Sequence, residues 1–239
     1  MAENWKTLAK EALLETLWPI RCAACDTPGE LLCPECRLSL EYIDACNACP
    51  VCGSPFGRVQ CCDCSATLLG PLGLERPPYD ACVSVLNLDA PSGRVVTLYK
   101  DAGDRGLARV MAGCLENCTP PNWLGEACAV SFVPASPSAF RRRGWDHAET
   151  LARAYAETVG LPWVRLFSRP EATDQRKLTR VERFANMRHA VRLLPGAVTP
   201  SSVILVDDVY TTGSTLFAAT EALKDRGTER VFCITFARA

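Results

Sequence analysis

The sequence predicts an α/β fold, a parallel sheet flanked by helices, with a small cysteine-rich module in front of it. Three observations predict it. From residue 80 onward, short apolar runs alternate with helical stretches, as βαβ units do. One run, Val203-Ile204-Leu205-Val206, is apolar at every position, as a strand covered on both faces must be. Ten of the fifteen cysteines lie between Cys22 and Cys64, a density that no ordinary core requires.

At 239 residues and 48% hydrophobic, the chain can bury a sizeable core, and a net charge of −1 singles out no class of partner. Residues 3–18 read as a helix, with Leu8, Ala12, Leu13 and Leu17 forming an apolar stripe between Trp5 and Trp18. The stripe is expected to pack on the rest of the protein, because its polar face lacks the strong basic character of a membrane-surface helix. Glu3, Glu11 and Glu15 interrupt any secretory signal, and no run approaches the roughly 20 apolar residues of a membrane span. A cytoplasmic location is therefore expected, where paired cysteines point to metal rather than disulfides.

Four Cys-x-x-Cys pairs follow: Cys22/Cys25, Cys33/Cys36, Cys49/Cys52 and Cys61/Cys64. Two thiolates at this spacing sit on one knuckle, and two knuckles complete a tetrahedral site. The set suits two structural zinc ions. Sequential pairing gives 22/25/33/36 and 49/52/61/64; an interleaved pairing also satisfies the spacing. Cys46 and Cys62 lie off it. A redox Cys-x-x-Cys would need one such pair on a βαβ unit, and an all-cysteine site leaves no open position for catalysis. The chain thus divides into an N-terminal amphipathic helix (1–20), a double zinc ribbon (21–70), a Pro/Gly-rich linker (71–79) and an α/β domain (80–239).

Within that domain Ala81–Leu88 reads as a strand, and two helical stretches surround the turn Lys100–Asp104. Ala127–Val133 is a second strand, running into Pro134–Pro137 and then Arg141-Arg142-Arg143-Gly144-Trp145-Asp146-His147. A helix follows with Ala148, Leu151, Ala152, Tyr155 and Val159 on one face, ended by Gly160–Pro162, and Trp163–Phe167 reads as a further strand. Ser168–Gly196 is long and polar, with seven basic residues against Glu171, Asp174 and Glu182, and reads as a functional or mobile loop suited to a phosphate-rich ligand. Leu216, Thr220 and Leu223 line the last helix face, and Val231–Phe236 is the closing strand.

The chemistry concentrates after Val206. Asp207 and Asp208 stand at the carboxyl end of the buried strand, where α/β sheets bind ligands. Thr211-Thr212-Gly213-Ser214-Thr215 then opens a helix, offering free backbone N–H groups and a positive dipole end to a phosphate. The carboxylates suit hydroxyls or a hydrated metal, so the pair of features describes a sugar phosphate. The plainer reading is an ordinary strand–turn–helix with Asp208 or Ser214 as a cap; the unbroken succession of strand, acidic pair and Thr-Thr-Gly-x-Thr loop outweighs it. A nucleotide P-loop signature is absent from the sequence.

Val-Asp-Asp-Val-x-Thr-Thr-Gly-Ser-Thr resembles the phosphoribosyl pyrophosphate (PRPP) motif of type I phosphoribosyltransferases. The four cysteine pairs, Val133-Pro134 with Arg141–Gly144 and the Ala148/Leu151/Ala152 helix, Gln175-Arg176-x-Leu178…Arg183…Asn186, and Lys100 ahead of a Gly-Asp turn are similar to the ComF family of competence-associated proteins. The resemblance spans residues 21–238. It departs at Asp146 and His147, where many members carry Asn and Gln, and at Leu88, where an aromatic residue is common. It implies a type I phosphoribosyltransferase-like sheet behind a double zinc ribbon. Asp207 and Asp208 would hold the ribose hydroxyls, Thr211–Thr215 the 5′-phosphate, Arg143 and Gly144 the pyrophosphate, with Lys100, Mg²⁺ and Arg141 or Arg142 assisting. The segment carrying Gln175, Arg176, Arg183 and Asn186 would close over the site.

Such a site suits the departure of pyrophosphate, since arginines and Mg²⁺ offset charge on the leaving group while carboxylates favour a cationic ribosyl carbon. The sequence stops soon after its last strand, so any hood over the base position is expected from the zinc ribbons, which should then lie near Gly213. Three functions follow as expectations: PRPP binding in support of DNA uptake, with single-stranded DNA and uptake proteins as partners; an active Mg²⁺-dependent transferase; or a PRPP sensor. The ribbon segment is not basic, which leaves Arg141–Arg192 as the candidate DNA contact.

Overall fold

A computed structural model describes residues 19–168 and 179–239. The expected helix over 3–18 and the residues Gln175 and Arg176 lie outside these. Four strands, β1 (Ala81–Asn87), β2 (Ala129–Phe132), β5 (Ser202–Tyr210) and β6 (Arg230–Arg238), form a sheet in the order β1-β6-β5-β2. All neighbours run parallel, and β5 and β6 stay in register from Ser202↔Arg230 to Tyr210↔Arg238.

Parallel strands need crossovers, and helices supply them on both faces. Three helices lie on one side: α3 (Ala90–Lys100), α4 (Leu107–Cys118) and α7 (His147–Val159). There Tyr99, Met111, Leu115, Leu151 and Tyr155 pack on Ile204, Val206, Ile234 and Phe236. Two lie on the other, α8 (Arg180–Ala190) and α9 (Ser214–Lys224), whose Phe184, Met187, Phe217 and Leu223 meet Val203, Leu205, Val231 and Cys233. Successive residues of β5 thus serve opposite layers, as the two-residue strand period requires. Short helices α1 (Pro34–Ser39), α2 (Ala66–Leu69), α5 (Pro121–Glu126) and α6 (Pro137–Arg143) complete the set.

The cysteine module clasps the edge of this sheet. Cys82 N–H donates to Val51 O, Ile43 N–H to Val85 O and Asn87 N–H to Glu41 O, each at 2.9 Å, so the outer rim of β1 is paired rather than open. Cys22, Ala23, Leu32 and Leu40 enter the first core and Cys49 and Cys52 the second, so the module straddles both faces. Leu72 and Tyr79 from the Pro/Gly-rich stretch are buried in the second core as well.

Two expectations change. Trp163–Phe167 does not join the sheet as a strand: Trp163 makes one parallel bridge to Val130, and β3 (Phe167–Ser168) pairs antiparallel with β4 (Arg192–Leu193). The backbone pairing with β2 is confined to Val130, whose N–H donates to Pro162 O and whose carbonyl accepts from Val164 N–H, each at 2.8 Å, and Arg153 lies 4.0 Å over the Trp163 ring. The long polar segment contains a true helix. In α8 Thr179 and Glu182 form a capping box, and Phe184, Met187 and Ala190 bury one face.

Candidate functional site

Adjacent residues of a strand point to opposite faces, so Asp207 and Asp208 open into two different surroundings. Asp208 is 3% exposed and turns toward α3 and α7. Lys100 Nζ, on the last residue of α3, donates to its Oδ2 at 2.6 Å, and His147 Nε2 lies 3.6 Å from the same oxygen. Burial works against the charged carboxylate, but the Lys100 ammonium and His147 hold it below its ordinary range. The network continues: Arg143 Nη1 lies 3.4 Å from His147 Nδ1, and Arg143 Nη2 donates to Asp101 Oδ1 at 2.9 Å.

Local structure fixes these partners. Asp146 caps α7 by accepting from Ala148 and Glu149 N–H and also accepts from Ala135 N–H at 2.9 Å, which ties the α6–α7 turn to the end of β2. Asp146, one of the positions at which the sequence departs from the resemblance, thus serves as a helix cap. Gly144 ends α6 at φ +73 with open space around it.

Asp207 turns the other way, into a cleft shared with Tyr210, Thr211–Leu216 and Arg183. Burial and the neighbouring Asp208 charge push its carboxyl up to about 7. Gly213, at φ +76, takes the cap position of α9 and carries no side-chain acceptor, so the first N–H groups of that helix face the cleft. A Cβ there would meet Tyr210 Oη, Tyr210 Cζ at 2.7 Å and Phe217 Cε1 at 2.9 Å, so only glycine fits. Thr212 and Ser214 hydroxyls lie 2.8 Å apart across the loop. Arg183, on α8, brings a guanidinium to this cleft; the buried Asn186 Nδ2 three residues on finds no acceptor among the described residues.

The eight cysteines separate into 22/25/33/36 and 49/52/61/64, the sequential pairing. Within each group the sulfurs lie within 4.8 Å of one another, with Cys25–Cys33 at 3.8 Å, Cys49–Cys64 at 3.7 Å and Cys52–Cys61 at 3.5 Å. Four thiolates about 2.3 Å from one ion stand about 3.8 Å apart, so each set fits zinc. Cys46 and Cys62 are exposed and belong to neither group. The second cluster approaches the Thr211–Thr215 loop: Arg238 donates to Cys52 O at 2.8 Å and stacks 4.0 Å from the centre of the Tyr210 ring.

The structure therefore joins Lys100, Asp208 and Arg143 in one charged network and Asp207, Thr211–Thr215 and Arg183 in one cleft. Sequence reading missed Asp101, Tyr210 and Arg238. Asp101 beside Lys100 carried a local signal; the other two depend on strand register.

Residues 143–239 match the phosphoribosyl transferase domain family. Over longer spans the chain is similar to competence protein ComFC of Streptococcus pneumoniae (strain ATCC BAA-255 / R6), 25% identical over 209 residues and 87% of each chain. It is likewise similar to ComFC of Bacillus subtilis (strain 168), 25% identical over 84% of this chain and 80% of that one. Competence protein F of Haemophilus influenzae (strain ATCC 51907 / DSM 11121 / KW20 / Rd) is 26% identical over 87% of this chain and 90% of its own. No helix among the described residues is long and apolar enough to cross a membrane.

Proposed function

We propose that the chain is a ComF-type protein of the phosphoribosyltransferase family whose cleft binds PRPP with Mg²⁺ in support of DNA uptake. The observation that carries this is the meeting of an uncapped helix N-terminus at Gly213 with the Asp207 carboxylate in one cleft. A phosphate on the first N–H groups of α9 leaves the ribose hydroxyls within reach of Asp207, and Thr211, Thr212, Ser214 and Thr215 add hydroxyl donors. Lys100, Arg143 and Gly144 would then take the pyrophosphate, after Lys100 and Arg143 exchange Asp208 and Asp101 for it. Bound Mg²⁺ supplies charge that favours a departing pyrophosphate. Arg183 and Asn186, with Gln175 and Arg176, belong to the segment we assign to closing the cleft.

A second partner, single-stranded DNA, is favoured by one feature: Phe140 is 49% exposed and is followed by exposed Arg141 and Arg142. An aromatic face beside guanidinium groups is a stacking platform with backbone contacts. The bound transferase chemistry and a purely sensing role both start from the same PRPP complex.

Calorimetric titration of PRPP·Mg²⁺, with and without single-stranded DNA, tests the reading. Binding that weakens more than about 100-fold in Asp207→Asn/Asp208→Asn is expected, since the acceptor proposed for the ribose hydroxyls and the buried counter-charge of Lys100 are both altered. Equal PRPP affinity in that variant would end the proposal. Pyrophosphate release on adding bases or DNA would identify turnover.

A further inference from the structure

We propose that Arg238 is a positioning residue that ties the second cysteine cluster to the phosphate loop, so that the ribbon of Cys49, Cys52, Cys61 and Cys64 sets the conformation around Gly213. The inference rests on the reading of that loop as a phosphate cradle only for the identity of what the loop holds.

Arg238 closes β6 and is 5% exposed, so its guanidinium must find all its partners inside the protein. Most come from the ribbon. Nη1 donates to Cys52 O at 2.8 Å, while Nη2 and Nε donate to Asp63 Oδ2 at 2.9 and 3.3 Å. Asp63 stands between Cys61 and Cys64, and its Oδ2 also accepts from Ser54 Oγ at 2.9 Å. Both knuckles of the second cluster therefore grip one arginine.

The face of that arginine lies on its cross-strand neighbour Tyr210, 4.0 Å from the ring centre. Tyr210 in turn covers the space where Gly213 would carry a side chain, and its hydroxyl lies 3.2 Å from that of Tyr79. The path from cluster to loop is thus Cys52 and Asp63, Arg238, Tyr210, Gly213. A second arm leaves the same knuckle: Arg180 Nη2 lies 3.5 Å from Asp63 O and begins α8, the helix that presents Arg183 to the cleft. The first cluster makes no comparable contact with this loop among the described residues; Arg94 Nη1 donates to its Ala24 O at 3.2 Å, on the far face of the sheet.

Amide hydrogen exchange on the full-length, zinc-loaded protein tests the tie directly. Exchange over residues 210–216 is expected to rise about tenfold in Asp63→Asn and Arg238→Met, with two zinc equivalents retained and with α4 and α7 as protected as in the wild type. Arg238→Lys, which keeps a cation for Asp63 and Cys52 O, should restore part of the protection. Unchanged exchange over 210–216 in Arg238→Met overturns the proposal. So does loss of zinc or of protection throughout α4 and α7, which would make Arg238 a support of the whole fold. PRPP titration of the same samples separates the two readings: a wild-type protein that fails to bind PRPP removes the ligand assignment, while the exchange result still decides the tie.

Discussion

Around Gly213 the cleft is shaped by packing, with Tyr210 and Phe217 pressed on the glycine and a ribbon-bound arginine behind them. At Asp208, on the other face of the same strand, the surroundings are shaped by charge, with Lys100, His147, Arg143 and Asp101 linked in a chain of ion pairs and hydrogen bonds. The first end is fixed before any ligand arrives. At the second, the groups we propose for pyrophosphate are already paired, so the proposed binding would exchange partners rather than simply fill a space. A packed site responds to added volume, and a charged one to pH and competing ions.

The largest expected difference between the two ends is therefore steric. Gly213→Ala places a methyl group against Tyr210 and Phe217 at a left-handed φ, and we expect a loss of about 3 kcal/mol in stability. Gly144→Ala has the same backbone sign but open space around it, so about 1 kcal/mol is expected. Urea denaturation of both variants measures the gap. Equal losses would mean that the loop yields as freely as the α6–α7 turn and that its packing does not preorganise it.

Next in size is Asp207, beside Asp208 on the strand that the two surroundings share. Its carboxyl is pushed up to about 7, above the value of about 3.9 expected for an unfolded chain. A raised folded value means that stability is complete below about pH 4 and is lost as pH rises through 7. Asp207→Asn removes that loss. The variant should match wild type near pH 4 and exceed it by about 2 kcal/mol at pH 8, while losing PRPP affinity. Calorimetric melting across this range is the check; a gain at pH 4 as large as at pH 8 would show that the carboxyl is not strained by its charge.

How much of this was legible in the sequence depends on separation along the chain. Val203–Val206 was readable because a strand buried on both faces has no polar position, and the cysteine pairs because their ligand spacing is local. The helix α8 was also written locally, in Thr179-x-x-Glu182 and the Phe184/Met187 spacing, but the arginines around them suggested an open loop. Trp163–Phe167 looked like a strand because its apolar pattern says nothing about how far its pairing with β2 extends. The Lys100–Asp208 pair spans 108 residues and the Arg238–Asp63 pair 175, so each appears only once the sheet order sets the register. Recognising the motif thus named the candidate residues, while their present partners required the fold.

The smallest expected effect concerns one of those partners. Asp101 is more than half exposed, whereas the Arg143 side chain it holds is 10% exposed, so the pair sits at the mouth of the charged end. An ion pair at such a position contributes about 0.5–1 kcal/mol. Asp101→Asn should therefore lower stability by less than about 1 kcal/mol, with His147 still beside the guanidinium. If Arg143 must leave Asp101 to receive pyrophosphate, the same change removes the competitor, and Mg²⁺-pyrophosphate should bind about 2–5-fold more tightly. Titration of both proteins at matched ionic strength measures this, because salt weakens the two competing pairs together. Weaker binding in the variant would reverse the interpretation: Asp101 would then hold Arg143 in its binding pose, and the charged end would be as preorganised as the packed one.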